Sequence, residues 1–353
     1  MAAGLALGLA GCEKVRSLTS PEADPPATAA TPSNPSAGVE RPVERGTSET
    51  DSASPQATPV VRSPDEIIDA FLAKPPGLRT NADLEELAAL EAGLDRITEL
   101  DLKGSRVGDA GLKVVGRLPL ATLDISQTSV SNEGLQVLAE LPGLKSLIAD
   151  DLGRADEGGF TGLERCTALE ELSLQSSLAA DAVFRRMRGL RQLRVLRVGG
   201  ATNLLGREFT ALVKDGGFPE LRELHAGNSP FVTYGLLELN RLKQLETLDA
   251  SHPDTHDVLV EGFQNCLKLK RLRLAGSRVT VAGLKLLGKL RSLEELDLSR
   301  CAGVNDAALA ALRPLKSLRQ LSLDGAGCTA DGVAMLKKSL PDATIRFNGA
   351  ELP

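Results

Sequence analysis

From Arg96 onward the chain repeats one figure, L-x-x-L-x-L, first as Ile97-Leu100-Leu102 and last as Leu318-Leu321-Leu323. The middle apolar residues are Leu100, Leu123, Leu147, Leu172, Leu196, Leu224, Leu248, Leu272, Leu296 and Leu321, so successive units advance by 23, 24, 25, 24, 28, 24, 24, 24 and 25 residues. Alternation over three residues predicts a short strand with its middle leucine turned inward. The second half of each unit changes period. In VGDAGLKVVGRL, Leu112, Val115 and Leu118 recur at threes, and VTVAGLKLLGKL repeats this with Leu284, Leu287 and Leu290, which predicts a helix. A glycine precedes the first of these leucines in several units (Gly111, Gly134, Gly283, Gly332), where a β-carbon would crowd the neighbouring coil. One unit cannot bury its own leucines, but stacked units share a continuous core.

The regularity stops at both ends. Ala343-Ile345-Phe347 reads as a partial eleventh strand that ends the stack. Residues 64–94 read as a helical N-terminal cap. Ser63 is placed to cap a helix with Pro64 at its first position and Asp65 and Glu66 in its first turn. Asn81 or Asp83 starts a second helix carrying Leu84, Leu87 and Leu90. Residues 13–63 are of another composition: nine of the 19 prolines fall between Pro21 and Pro64, among Ser, Thr and Ala. Such a segment cannot bury enough apolar surface to offset chain entropy, and is expected to be an extended linker. Residues 1–12, MAAGLALGLAGC, are apolar up to Leu9-Ala10-Gly11-Cys12. That ending resembles a bacterial lipobox, which implies lipidation of Cys12 and a place in the cell envelope facing outside the cytoplasm. The n-region departs from the pattern in having no Lys or Arg.

Residues 95–349, about 250 of the 353, resemble leucine-rich-repeat proteins, and the form L-x-x-L-x-L-x-x-[STC]-x-V-[ST]-D-x-G-L is similar to the repeats of about 24 residues found in bacterial exported proteins. The resemblance implies an α/β solenoid: a curved, right-handed stack of about ten repeats, with parallel strands on the concave face and α-helices on the convex one. It also implies an interaction scaffold, and it brings no shared catalytic residues.

Composition narrows the function. A net charge of −6 argues against a nucleic-acid partner. With eight Phe, one Tyr and no Trp, the core must be filled by aliphatic side chains, and the residues that usually anchor tight interfaces are scarce. Cys166 and Cys266 share one repeat position four units apart and cannot bridge, while Cys301 and Cys328 fall at core positions of adjacent units, where a disulfide is a minor alternative. Gly283-x4-Gly288-Lys289 imitates a phosphate loop, but Leu290 stands where Ser or Thr is required and the segment lies in a repeat helix. Neither H-E-x-x-H nor G-x-S-x-G occurs. No cofactor and no enzymatic activity are expected.

The candidate binding residues are those that point outward from the strands. Glu99, Asp101, Asp124, Asp150 and Glu171 make the first units acidic. Arg197, His225, Asp249, Arg273 and Asp297 then nearly alternate in sign, a ladder able to pair across strands. The partner expected on this face is a protein or peptide, with the membrane engaged only through lipid. Two other readings remain: a self-associating structural envelope protein, and a metal or enzymatic site. The latter rests on DASHPDTHD (residues 249–257), where His225, Asp249 and His252 are candidate ligands. The alternative at that point is a plain His225–Asp249 contact.

Overall fold

The computed structural model describes residues 62–352. Cys12 and nearly all of the expected linker lie outside these residues. Strands β1 (Glu99–Asp101), β2 (Thr122–Asp124), β3 (Ser146–Ile148) and β4 (Glu171–Ser173) open one twelve-stranded sheet. β5 (Val195–Arg197), β6 (Glu223–His225), β7 (Thr247–Asp249) and β8 (Arg271–Arg273) continue it. It closes with β9 (Glu295–Asp297), β10 (Gln320–Ser322), β11 (Thr344–Phe347) and β12 (Ala350–Leu352).

Sheet order follows chain order, and β1 to β11 are all parallel. β1 to β10 are only three residues long because each unit must turn at once into its return path. The register sets Leu100 against Leu123, Leu123 against Leu147, and so on to Ile345, in one buried column. The final strand differs from the expectation of a bare eleventh strand. β12 folds back antiparallel on β11 through Asn348-Gly349, whose φ angles of 49° and 81° are those of a primed hairpin turn.

The return segments are helical but not uniformly α. α3 (Asp109–Val115) and α5 (Val281–Leu287) are α-helices, whereas 134–140, 159–165 and 181–187 are 3-10 turns. A 3-10 turn is tighter than an α turn and lets neighbouring units close up. A β-carbon on Gly162 would stand 2.6 Å from the Ala139 nitrogen of the unit before. The 28-residue unit spends its extra residues on α4 (Arg207–Lys214). There the aliphatic stack gives way to four buried rings: Phe209 lies 5.5 Å from Phe184, 5.5 Å from Phe218 and 5.0 Å from Phe231 between centroids.

Before β1, α1 (Pro64–Ala73) and α2 (Asn81–Ala88) lay Ile68, Phe71, Leu84 and Leu87 against the first unit's core. Ser63 and Glu66 form a reciprocal capping box, and Thr80 with Asp83 forms a second. Arg79, 6% exposed, donates to the Asp101 carbonyl of β1 at 2.6 Å and lies over the Phe71 ring at 4.5 Å. The first edge strand thereby gains a donor that no preceding repeat supplies. Cys166, Cys266, Cys301 and Cys328 are buried free thiols, so the Cys301–Cys328 disulfide does not form. Three of them donate to a carbonyl of the preceding unit, as Cys166 does to Leu138 at 3.2 Å.

Candidate functional site

Because the middle residue of each strand is buried, the first and third face outward and make two parallel rows. The third-position row runs Asp101, Asp124, Ile148, Ser173, Arg197, His225, Asp249, Arg273, Asp297, Ser322 and Arg346 in direct register. Glu99 and Glu171 belong instead to the first-position row, and Asp150 follows β3 by two residues.

The four aspartates of the third-position row serve the backbone. Each unit leaves its strand through a sharp turn, and the strand's last carboxylate accepts the amide two residues on. Asp101 takes Lys103 N at 2.9 Å, Asp124 takes Ser126 N at 2.8 Å, Asp249 takes Ser251 N at 3.0 Å and Asp297 takes Ser299 N at 2.9 Å. This is the local side-chain turn that Asp favours. Asp150 reaches across to the next unit, accepting from Ser173 Oγ at 2.6 Å and Gln175 N at 2.8 Å.

The expected ladder of cross-strand ion pairs is therefore absent from the third-position row. Arg197 pairs with Glu171 of the other row, while Arg273 has no carboxylate within ion-pair distance among the described residues although Asp249 and Asp297 flank it. A ladder of ion pairs does exist at the residue just before each of several strands. Arg194 meets Glu170 at 2.8 Å, and Glu246 takes both Lys270 at 2.8 Å and Arg222 at 3.4 Å. The Lys270 hydrogen bond, against a small opposing burial, holds the Glu246 carboxyl below its usual range.

The histidine cluster resolves differently from either expectation. His225 sits beside Asp249 in register, but its Nε2 lies 3.1 Å from the Glu223 carboxylate on its own strand. Asp249 is turned towards Ser251, which removes it as a partner. His252 points into its own loop, where Nδ1 accepts Asp254 N at 3.1 Å. The three candidate ligands do not converge, and among the described residues no group of three His, Cys, Asp or Glu is placed to hold a metal ion. The proline explains the loop. In other units the residue four after the central leucine takes positive φ and bonds to the next unit, as Asn228 N does to the Ser251 carbonyl at 2.8 Å. His252 occupies that position but precedes Pro253, which disfavours helical backbone before it, and it does not take the positive φ of its counterparts.

A hollow of about 790 Å³ lies over β8 to β12. Its polar lining includes Arg271, Arg273, Glu295, Arg319, Gln320 and Arg346. A smaller one of about 190 Å³ joins Glu223, His225, Asp249 and Arg273. The first-position residues Glu223, Arg271 and Glu295 were not singled out from sequence. Their signal is the third place of L-x-x-L-x-L, which stands outward as surely as the fifth.

A sequence profile described as Leucine Rich repeat matches residues 97–116 and 289–312. No curated protein matches the sequence. The fold is similar to an internalin from Listeria monocytogenes, with a TM-score of 0.53 and 19% identity over 77% of each chain. It is also similar to the mouse RP105/MD-1 complex, with a TM-score of 0.52 and 19% identity over 76% of this chain and 52% of that one. With its sequential parallel sheet, one leucine column and these structural likenesses, the chain folds as a leucine-rich-repeat solenoid.

Proposed function

We propose that this chain is a non-enzymatic scaffold that binds a protein or peptide on its concave face, held at the cell envelope outside the cytoplasm by lipid on Cys12. The observation that carries the binding reading is the hollow over β8 to β12. Among its lining residues Asp297 caps its own turn and Arg346 pairs with Asp324, but Arg273 and Arg319 have polar ends that the fold does not consume. The mouse neighbour was solved as a complex of two proteins, which is in keeping with this reading.

The test is affinity capture from envelopes with the full chain, beside Arg273→Glu and Asp101→Lys/Asp124→Lys variants. Loss of a captured protein with Arg273→Glu, at unchanged Tm, is the expected result. Retention in every variant would overturn concave binding. Self-association, the competing role, would show as a mass that grows with concentration in light scattering. Metabolic lipid labelling that persists in Cys12→Ala would remove the anchor.

A further inference from the structure

All the return helices run the same way, so their N-termini gather on one flank of the solenoid and their C-termini on the other. Charge follows that polarity. The first helical turns carry Asp109, Asp181, Asp257, Asp306 and Asp331. The opposite flank, where each helix returns to its strand, carries Lys243, Lys268, Lys289, Arg291, Arg313 and Lys316 over consecutive units. All six are exposed.

Basic residues elsewhere are in part neutralised. Arg185, Arg186, Arg194 and Arg222 each meet a carboxylate of a neighbouring unit. Among the described residues none of the six does. Lys268 donates to Gln244 Oε1 and Lys289 to Gln264 Oε1, both at 2.6 Å. Arg291 donates to the Pro314 carbonyl, and Lys316 to that of Ser339 at 2.6 Å. These bonds lay the side chains along the flank, from unit to unit, without neutralising them. Two nearby acids are already engaged: Glu238 by Lys214 and Arg241, and Glu246 by Arg222 and Lys270.

Complementing helix dipoles accounts for part of the pattern. A helix C-terminus carries only about half an elementary charge, however, and these helices are short. One or two full cations per unit exceed it and leave a positive strip on a chain whose net charge is −6. None of the six lines either of the hollows described above. The strip is largely lysine, a point charge without the forked geometry that selects one particular anion. Leu267, 61% exposed, stands beside Lys268 within it.

We propose that this flank lies on an anionic lipid surface. An exposed, lysine-rich strip without carboxylate partners and with an exposed leucine fits a plane of fixed negative charge, and the acidic flank opposite sets the orientation. The solenoid then rests edge-on, and both its concave face and its acidic flank remain open. The inference stands on the flank alone and does not require lipid on Cys12.

The experiment is co-sedimentation of the full chain carrying Cys12→Ala with phosphatidylcholine vesicles, with and without phosphatidylglycerol. Binding is expected only with the anionic lipid, and is expected to fall with salt. Lys243→Glu/Lys268→Glu/Lys289→Glu/Lys316→Glu should weaken it by roughly two orders of magnitude or more. The same four changed to Gln provide a milder variant should the reversal impair folding, and Arg300→Glu, in a strand-to-helix turn, should leave binding intact. Equal binding to neutral vesicles, or no loss in the Gln variant, overturns the proposal. So does capture by immobilised heparin without vesicle binding, which would point to a soluble polyanion. Persistence of lipid labelling in cells bears only on the anchor and leaves this result untouched.

Discussion

Asp257 holds Thr280 of the next unit by both its amide and its hydroxyl: Oδ1 accepts from the nitrogen at 2.8 Å and Oδ2 from Oγ1 at 2.6 Å. Asp109 does the same for Ser131, and Asp306 for Thr329. The sequence trace of this clasp is an Asp in one unit and S/T-x-x-G in the next, Ser131 to Gly134, Thr280 to Gly283 and Thr329 to Gly332. A β-carbon on Gly283 would fall against Asp257 Oδ1, and one on Gly134 would stand 2.5 Å from Asp109 Oδ1. The glycine makes room for the preceding unit's carboxylate. Gly283→Ala and Asp257→Ala should each cost about 1–2 kcal/mol, since both release the same two hydrogen bonds. The double variant should cost little more than either alone, which urea unfolding of all three would show.

Acid should loosen the same clasp. Thr329, through its amide and its hydroxyl, holds the Asp306 carboxyl below the usual aspartate range. At Asp109 burial pulls the other way, but the bonds from Ser131 prevail and its pKa is lowered too. A carboxyl depressed in the folded state contributes stability that is fully present above its unfolded pKa, about 4, and is lost as pH falls through the lower folded value. The Tm is therefore expected to hold steady down to about pH 5 and then to drop. Replacing Asp109 and Asp306 together by Asn should flatten that drop. An unchanged pH profile in the double variant would rule out the clasp as its source.

The N-terminal cap should be sensitive to one residue. Arg79 donates to the carbonyls of Asp101, Lys74 and Leu72 at 2.6, 3.2 and 3.4 Å. Arg79→Ala leaves those acceptors without a donor at the edge of a repeat stack and should cost about 2–3 kcal/mol. Lysine, with a single ammonium in place of a fork, should recover less than half of it. Hydrogen exchange should localise the loss to residues 64–102, with the units beyond β6 protected as before.

The fold was legible because the leucine period is strict and local: it names the buried column residue by residue, from Leu100 to Leu321. The outward row was legible for the same reason, since the strand alternation that buries Leu248 turns Asp249 out. What those outward side chains do was not. Asp249 could be expected to meet His225, its neighbour in register, yet an amide two residues along its own chain competes for the same oxygen and wins. Charge alternation along a row does not decide which neighbour a long side chain chooses, so the paired ladder formed through Glu170, Arg194 and Glu246 and not through Arg273. The closing hairpin depends on two residues, Asn348 and Gly349, beyond the last leucine of the period.

Thiol chemistry offers a final check on how tightly the units are closed. Burial pushes the Cys166 thiol up to about 11 and that of Cys266, against a small opposing effect of Lys243, up to about 12. Thiolate is the reactive form, so near neutral pH both should be nearly inert to maleimide in the folded chain. In a Cys12→Ala background the native protein should take up label slowly, and Cys328 should react before Cys166 and Cys266 because it is the least enclosed of the four. Unfolding in urea should expose all four at once without added reductant, since none is bridged. Labelling of Cys166 in step with Cys328 under native conditions would mean that the stack opens between its units more readily than this packing allows.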